Sequence, residues 1–284
     1  MSKPSGAIDM TQGKPINLML RFALPMMIGS IFQSLYSMVD SAVLGRFVGS
    51  HALAAIGATT STTGLILLLA TGVTSAISIV LSQYVGANDT DRVRKGIVAS
   101  GWITLLLGVV LGLISIFAAR PLMQLLKTPE DVIDMSVLYI QIVCGCGIAQ
   151  FAYNAAASIL RALGDSKTPL YFLILCSILN VILDLISVIG LNMGVAGVAV
   201  ATVGSQAISA AICILVMFRK YPDLMPKRHT LRPDMPVSLK IFGMGAQMAL
   251  QSLFLSVGMM VITRVINGYG SRRSPSAATC RTSP

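Results

Sequence analysis

Charge is scarce in this chain. Asp, Glu, Lys and Arg make up 11% of its 284 residues, where a soluble domain carries about 25%. Hydrophobic residues make up 55%, mean hydropathy is +0.79, and the apolar residues fall in long unbroken tracts. This excludes a soluble globule, a disordered chain and a fibrous repeat. Cysteine is sparse as well. Cys144, Cys146, Cys176 and Cys213 sit inside apolar tracts and Cys280 lies near the C-terminus. An odd number of mostly membrane-buried thiols is no disulfide framework, and Cys144-Gly-Cys146 lacks the spacing and second pair of a zinc site. No Ser–His pair and no ligand cluster lies in the apolar tracts, so no enzyme and no cofactor are expected. The first sixteen residues hold Lys3, Lys14 and two prolines but no apolar run. A cleavable signal peptide is therefore not expected, and the first span stays in the mature protein.

What is present is a series of spans. A membrane-crossing helix needs roughly 20 apolar residues. Seven tracts reach that length, at about 18–44, 53–85, 97–119, 132–160, 170–190, 195–218 and 239–266. The fold class expected is an all-α polytopic membrane protein, with the lipid bilayer as its first partner. The net charge of +10 is explained by placement. With the N-terminus inside, the inner segments hold 14 Lys and Arg residues and the outer connections three. That bias puts the N-terminus in the cytoplasm, and it reads the basic charge as topology, with no nucleic-acid partner. The setting expected is the plasma membrane.

Spans 1 and 7 look like copies. At an offset of 218 residues, Met26, Gln33, Ser34, Leu35, Val39, Val43 and Arg46 meet Met244, Gln251, Ser252, Leu253, Val257, Val261 and Arg264. Related halves are common in transporters, and six spans before the repeat give parallel halves that both start inside. Five further spans are then expected, but the chain continues after Gly270 as Ser-Arg-Arg-Ser-Pro-Ser-Ala-Ala-Thr-Cys-Arg-Thr-Ser-Pro, without an apolar run. The tail is accordingly read as an out-of-frame or truncated end. The organisation expected is a segment at 1–17, a six-span lobe at 18–219, a basic cytoplasmic linker at 220–238, the first span of a second lobe at 239–267, and a disordered tail at 268–284.

Of eleven acidic residues, only Asp40 and Asp184 lie well inside spans. A carboxylate at a spanning-helix centre costs about 2.5–3.5 kcal/mol on insertion scales, so such residues face a polar cavity and carry function. At about 1.5 Å rise per residue, both acids fall at nearly one depth in the outer half, as do Tyr139 and Thr202. Asn180 is one turn below Asp184 on the same face. Asp40, Tyr139, Asn180, Asp184 and Thr202 thus line one expected pocket, with Asn154 deeper. Two carboxylates with neutral oxygen donors suit a hard monovalent cation or a shared proton. Gly108-xxx-Gly112 and Gly145-Cys-Gly147 read as helix-packing glycines. Pro25, early in span 1, reads as a static kink or as a hinge.

Several motifs in order resemble the multidrug and toxic compound extrusion (MATE) family over residues 14–267. They are Phe22-Ala-Leu-Pro25, Val39-Asp40-Ser-Ala-Val-Leu-Gly45-Arg46, Gln83-Tyr-Val-Gly86-Ala87, Leu160-Arg161-Ala-Leu-Gly164-Asp165-Ser-Lys167-Thr-Pro169, Asn180-Val-Ile-Leu-Asp184 and Gly194-Val-Ala-Gly197-Val-Ala-Val-Ala-Thr202. The resemblance implies half of a twelve-helix fold of two six-span lobes. It implies export of drugs and amphipathic organic cations in exchange for H⁺ or Na⁺. It further implies an ion pocket at Asp40, Tyr139, Asn154, Asn180, Asp184 and Thr202, bending of span 1 at Pro25, and substrate contacts at Gln33 and Tyr36. The chain departs from the family in span 7, where Gln247 and Gln251 stand in the stretch in which some members carry a glutamate, and in length. Transport by these residues alone is therefore an open expectation. The rivals are a lipid-linked oligosaccharide flippase of the same superfamily, which would show a more basic cavity, and a seven-span receptor or retinal protein, which would need a lysine in its last span. A third rival is an inactive fragment.

Overall fold

A computed structural model of the chain describes residues 15–126, 128–224 and 232–270. The expected N-terminal segment up to residue 14, residues 225–231 of the basic linker and the tail past Gly270 lie outside the described residues, as does Cys280.

The described residues are helical and contain no strand. The helices are α1 (Pro15–Phe47), α2 (Ser50–Gly86), α3 (Thr90–Leu125), α4 (Glu130–Gly145), α5 (Ile148–Ala162), α6 (Lys167–Leu185), α7 (Gly194–Lys220) and α8 (Met235–Gly270). The apolar tracts grow into helices because a bilayer leaves the backbone no partner but itself. They overrun the tracts at both ends, where polar residues continue the helix. Helices α1, α2, α3, α6 and α7 are each long and apolar enough to cross a membrane. The expected fourth span is not one helix. It breaks at Gly145–Gly147 into α4 and α5, which meet at a bend of 43° and make a single crossing only as a pair. The packing glycines expected on α3 seat that break. A Cβ on Gly112 would stand 2.9 Å from the Gly145 carbonyl oxygen, and one on Gly108 would stand 2.9 Å from Ile148. Gly145 and Gly147 themselves mark the interruption.

One core lies toward the end of the bundle that carries the α2–α3 turn. It joins Ile77 and Leu81 of α2, Ile97 of α3, Leu160 of α5, Cys213 of α7 and Ile241 of α8. A second, at the opposite end, joins Val43 and Leu44 of α1 to Val188, Val195 and Val198. Elsewhere the apolar side chains point outward, as Phe117 and Leu125 do at 77% exposure each. That surface fits lipid and would be costly in water.

Helix α8, the expected seventh span, lies along α2 and α3. The crossing is close. A Cβ on Gly72 would stand 2.8 Å from the Ala249 backbone nitrogen, and one on Gly245 would stand 3.1 Å from Val73 Cα. At its start Asp234 pairs with Lys95 at 2.8 Å, while Lys240 donates to Gln83 at 3.2 Å and sits 5.1 Å over the Tyr84 ring.

The α5–α6 turn is locked by local chemistry. Gly164 takes φ +84°. Its N–H donates to the Arg161 carbonyl and that of Asp165 to the Leu160 carbonyl, the paired bonds that close a helix on a left-handed glycine. Asp165 is then 1% exposed. It accepts Thr168 N–H at 3.1 Å, Thr168 Oγ1 at 2.6 Å and Lys220 Nζ at 2.6 Å, tying the turn to the end of α7. Burial pushes the Asp165 pKa up, but the hydrogen bonds from Lys220 and Thr168 outweigh it and hold it below the ordinary value.

Two outcomes follow from this packing. A group with a depressed folded pKa contributes stability above its unfolded value and loses it as pH falls through the folded one. Asp165→Asn should cost about 3 kcal/mol of stability at neutral pH, the weight of a broken buried pair. It should also flatten the loss of thermal stability below about pH 4, read by unfolding in detergent across pH. Gly72→Ala should lower stability by about 1–3 kcal/mol through overpacking of α2 on α8, seen in the same unfolding measurement.

Candidate functional site

The site begins with a stripe along α1. Pro25, Gly29, Gln33, Tyr36 and Asp40 recur at three- and four-residue intervals, the spacing of one helix face. Helix α1 packs chiefly on α6, and Gly29 brings the two together, since a Cβ there would lie 3.3 Å from Leu173 Cδ2. The serines of α1 spend their hydroxyls on their own helix. Ser30, Ser34, Ser37 and Ser41 each donate to the carbonyl four residues back. Such back-bonding satisfies hydroxyls in hydrocarbon and loosens the helix locally.

On α6, Asn180 and Asp184 share a face one turn apart, and both are fully buried. With its amide nitrogen turned toward the carboxylates, Asn180 donates to Asp40 Oδ1 at 2.7 Å and to Asp184 Oδ2 at 3.2 Å. This orientation is fixed by the hydrogen-bond network, because the opposite one sets the amide oxygen against two acceptors. Its other terminal atom then lies 3.5 Å from Thr202 Oγ1 of α7, which donates to the Val198 carbonyl. The Asp40 carboxyl is in hydrogen-bonding reach of both Asp184 and the Tyr36 hydroxyl. Tyr36 also reaches Thr202. Tyr139 of α4 stands near enough to feel both carboxylates.

Two features set the chemistry. Asp184 Oδ1 is buried and has no hydrogen-bond partner. Among the described residues, no Lys or Arg pairs with either acid. Two carboxylates within reach of one another, Asp184 fully buried and Asp40 partly so, and without a basic partner, repel strongly unless a positive charge lies between them. Apart from the Asn180 amide nitrogen, which donates to both acids, the groups on hand are carboxylate and hydroxyl oxygens, which fit a proton or a hard monovalent cation. Immediately past Asp184 the helix widens into a π-turn, Ile186–Gly190, a distortion common beside functional groups.

The structure brings together Asp40, Asn180, Asp184, Thr202 and Tyr139, and adds Tyr36 to the same cluster. Asn154 sits half-buried on α5, and among the described residues no hydrogen bond joins it to the acids. Gln33 is exposed and lines a separate cavity with Pro25, Tyr153 and Arg161. Helix α1 passes through Pro25 unbroken. The ring removes one backbone hydrogen bond there, which makes this turn the least constrained of the helix. The family resemblance implies Tyr36 as a substrate contact, and its place one turn before Asp40 puts it on the face of the acid pair.

The chain is similar to known proteins along nearly its whole length. The MatE family model matches residues 25–186. Probable multidrug resistance protein YpnP of Bacillus subtilis is 32% identical over 266 residues, covering 93% of this chain and 59% of that protein. Multidrug export protein MepA of Staphylococcus saprophyticus is 24% identical over 253 residues, covering 89% of this chain and 56% of that one. A crystal structure of MATE in complex with MaD3S superposes with a TM-score of 0.83 at 25% identity, over 91% of this chain and 58% of that one. The chain thus spans less than two thirds of the length of these relatives. With more than half of its residues matched by the family model, and the fold and multi-pass helical architecture in agreement, this chain belongs to the MatE family.

Proposed function

We propose that this lobe serves a secondary antiporter that exports drugs and amphipathic organic cations in exchange for inward H⁺ or Na⁺. The observation that carries the reading is the Asn180-bridged pair of Asp40 and Asp184 with the orphaned Asp184 oxygen. Family membership and the multidrug names of the relatives support the substrate class.

The mechanism follows from charge balance. Asp40 belongs to α1 and Asp184 to α6. A monovalent cation or proton between them draws α1 onto α6, with Tyr36 and Thr202 supplying neutral oxygens. Loss of that charge leaves two carboxylates facing each other in a poor dielectric, and their repulsion drives the helices apart. Helix α1 is the one that yields. It is held mainly by α6, and it bends at low cost where Pro25 removes a backbone bond. Arg92, Arg94, Lys95, Arg219 and Lys220 gather at the end bearing the α2–α3 turn, which supports a cytoplasmic location for that end. The acids then load from the far side of the plasma membrane. Movement of α1 reshapes the face that binds substrate, with Tyr36 and Gln33 as contacts.

Whole-cell ethidium efflux checks this reading. Asp40→Asn and Asp184→Asn should each reduce energised efflux at least about tenfold, the loss expected for removing one partner of a buried charge site. Unchanged efflux in the double variant would exclude the pair from coupling. Collapse of the proton gradient alone, or of the sodium gradient alone, identifies the driving ion. Pro25→Ala should slow efflux severalfold by restoring the missing helical bond, while leaving protein abundance in the membrane unchanged on immunoblots.

A further inference from the structure

Below the acid cluster, the same stripe of α1 borders a second cavity of about 170 Å³ between α1, α5 and α6. Pro25, Met26, Leu170 and Leu173 form its apolar wall, and Ser30, Gln33, Tyr153, Arg161 and Ser166 its polar one. Tyr153 closes one side by donating to the Pro169 carbonyl at 3.1 Å. Two polar residues with hydrogen-bonding capacity left over line it. Arg161 makes a single hydrogen bond among the described residues, from Nη2 to Ser158 Oγ at 2.8 Å, although a guanidinium carries five N–H donors. Ser166, only 4% exposed, has a buried hydroxyl with no partner.

The nearest acid in sequence cannot serve Arg161. Asp165 already commits one oxygen to the Thr168 N–H and the other to Thr168 Oγ1 and Lys220. No carboxylate among the described residues forms an ion pair with Arg161. A largely buried guanidinium without a counter-charge is costly. The matching group is an oxyanion that accepts two or more N–H bonds side by side. The cavity lies toward the basic end of the bundle, beside the last turn of α5. Its mouth, at Met26 and Ser30, is exposed and suits an attached apolar chain.

We propose that this cavity binds a phosphate group, held by Arg161 and Ser166, with the apolar part of an anionic amphiphile against Met26, Leu170 and Leu173. The same chemistry is offered by an anionic lipid headgroup and by free phosphate, and the test separates them. The purified full chain is titrated with phosphatidylglycerol, with phosphatidylcholine and with inorganic phosphate. Native mass spectrometry reads adducts, and thermal unfolding reads protection. Selective retention of phosphatidylglycerol, weakened about tenfold in Arg161→Gln as expected for loss of charge-assisted bonds and severalfold in Ser166→Ala, supports a lipid occupant. Protection by inorganic phosphate alone, with the same variant dependence, supports the site with a free anion as its source. If Arg161→Gln fails to fold, Ser166→Ala and Ser30→Phe decide, the latter obstructing the mouth without touching the guanidinium. Equal retention of both lipids and no response to phosphate, or unaltered binding in these variants, overturns the proposal. Asp40→Asn should leave this binding unchanged, so failure here is distinguishable from failure of the antiport reading.

Discussion

Inside a bilayer a polar group has only the protein to bond with, and the arrangement of this lobe follows from that restriction. The serines of α1 answer it one at a time by bonding their own helix. Ser136 of α4 answers it across helices by donating to the Ala55 carbonyl of α2 at 3.1 Å. The α5–α6 turn answers it with a left-handed glycine and a saturated aspartate. Asn180 is the most economical case, because a single amide serves two carboxylates on different helices. The restriction is left unmet at Asp184 Oδ1 and Ser166 Oγ, each buried without a hydrogen-bond partner.

Much of this was legible because charge is so rare in the sequence. Two acids inside spans stand out against apolar surroundings, and the four-residue step from Asn180 to Asp184 places them on one face without further information. The long tracts also announce their helices. The α4–α5 break was not legible. Val132–Leu160 is continuous in hydropathy, and Gly145 and Gly147 serve equally well as packing residues in a straight helix. Only the seating of Gly108 and Gly112 against the break distinguishes the two. Arg161 was equally hidden, since at a helix end it counts toward topology, and nothing in its neighbourhood signals that Asp165 is engaged elsewhere. Thr202 was readable from its depth in span 6, whereas Tyr36, expected as a substrate contact, joins the acid cluster only once α1, α6 and α7 are packed.

The helices differ in how firmly they are held. Helix α2 touches α3, α4, α5 and α8 and contributes Ile77, Val80 and Leu81 to the principal core. Helix α1 contributes to the smaller core through Val43 and Leu44 and rests otherwise on α6. The element that carries Asp40 is thus the least embedded, while its partner acid sits on a helix wedged between α1 and α7. Movement of α1 changes few contacts, and those it changes include the charged one.

The position of Asp40 along α1 has an electrical consequence. It stands seven positions before Phe47, the last residue of α1, which is about 10 Å of helix. Against about 30 Å of hydrocarbon, an ion arriving from that end crosses roughly a third of the dielectric before it is bound. A whole charge crossing the membrane gains about 2.3 kcal/mol per 100 mV. On the proposed antiport reading, loading of the acid pair draws on the membrane voltage for only about a third of that, and the larger share of the field is left to the steps that would carry the ion onward.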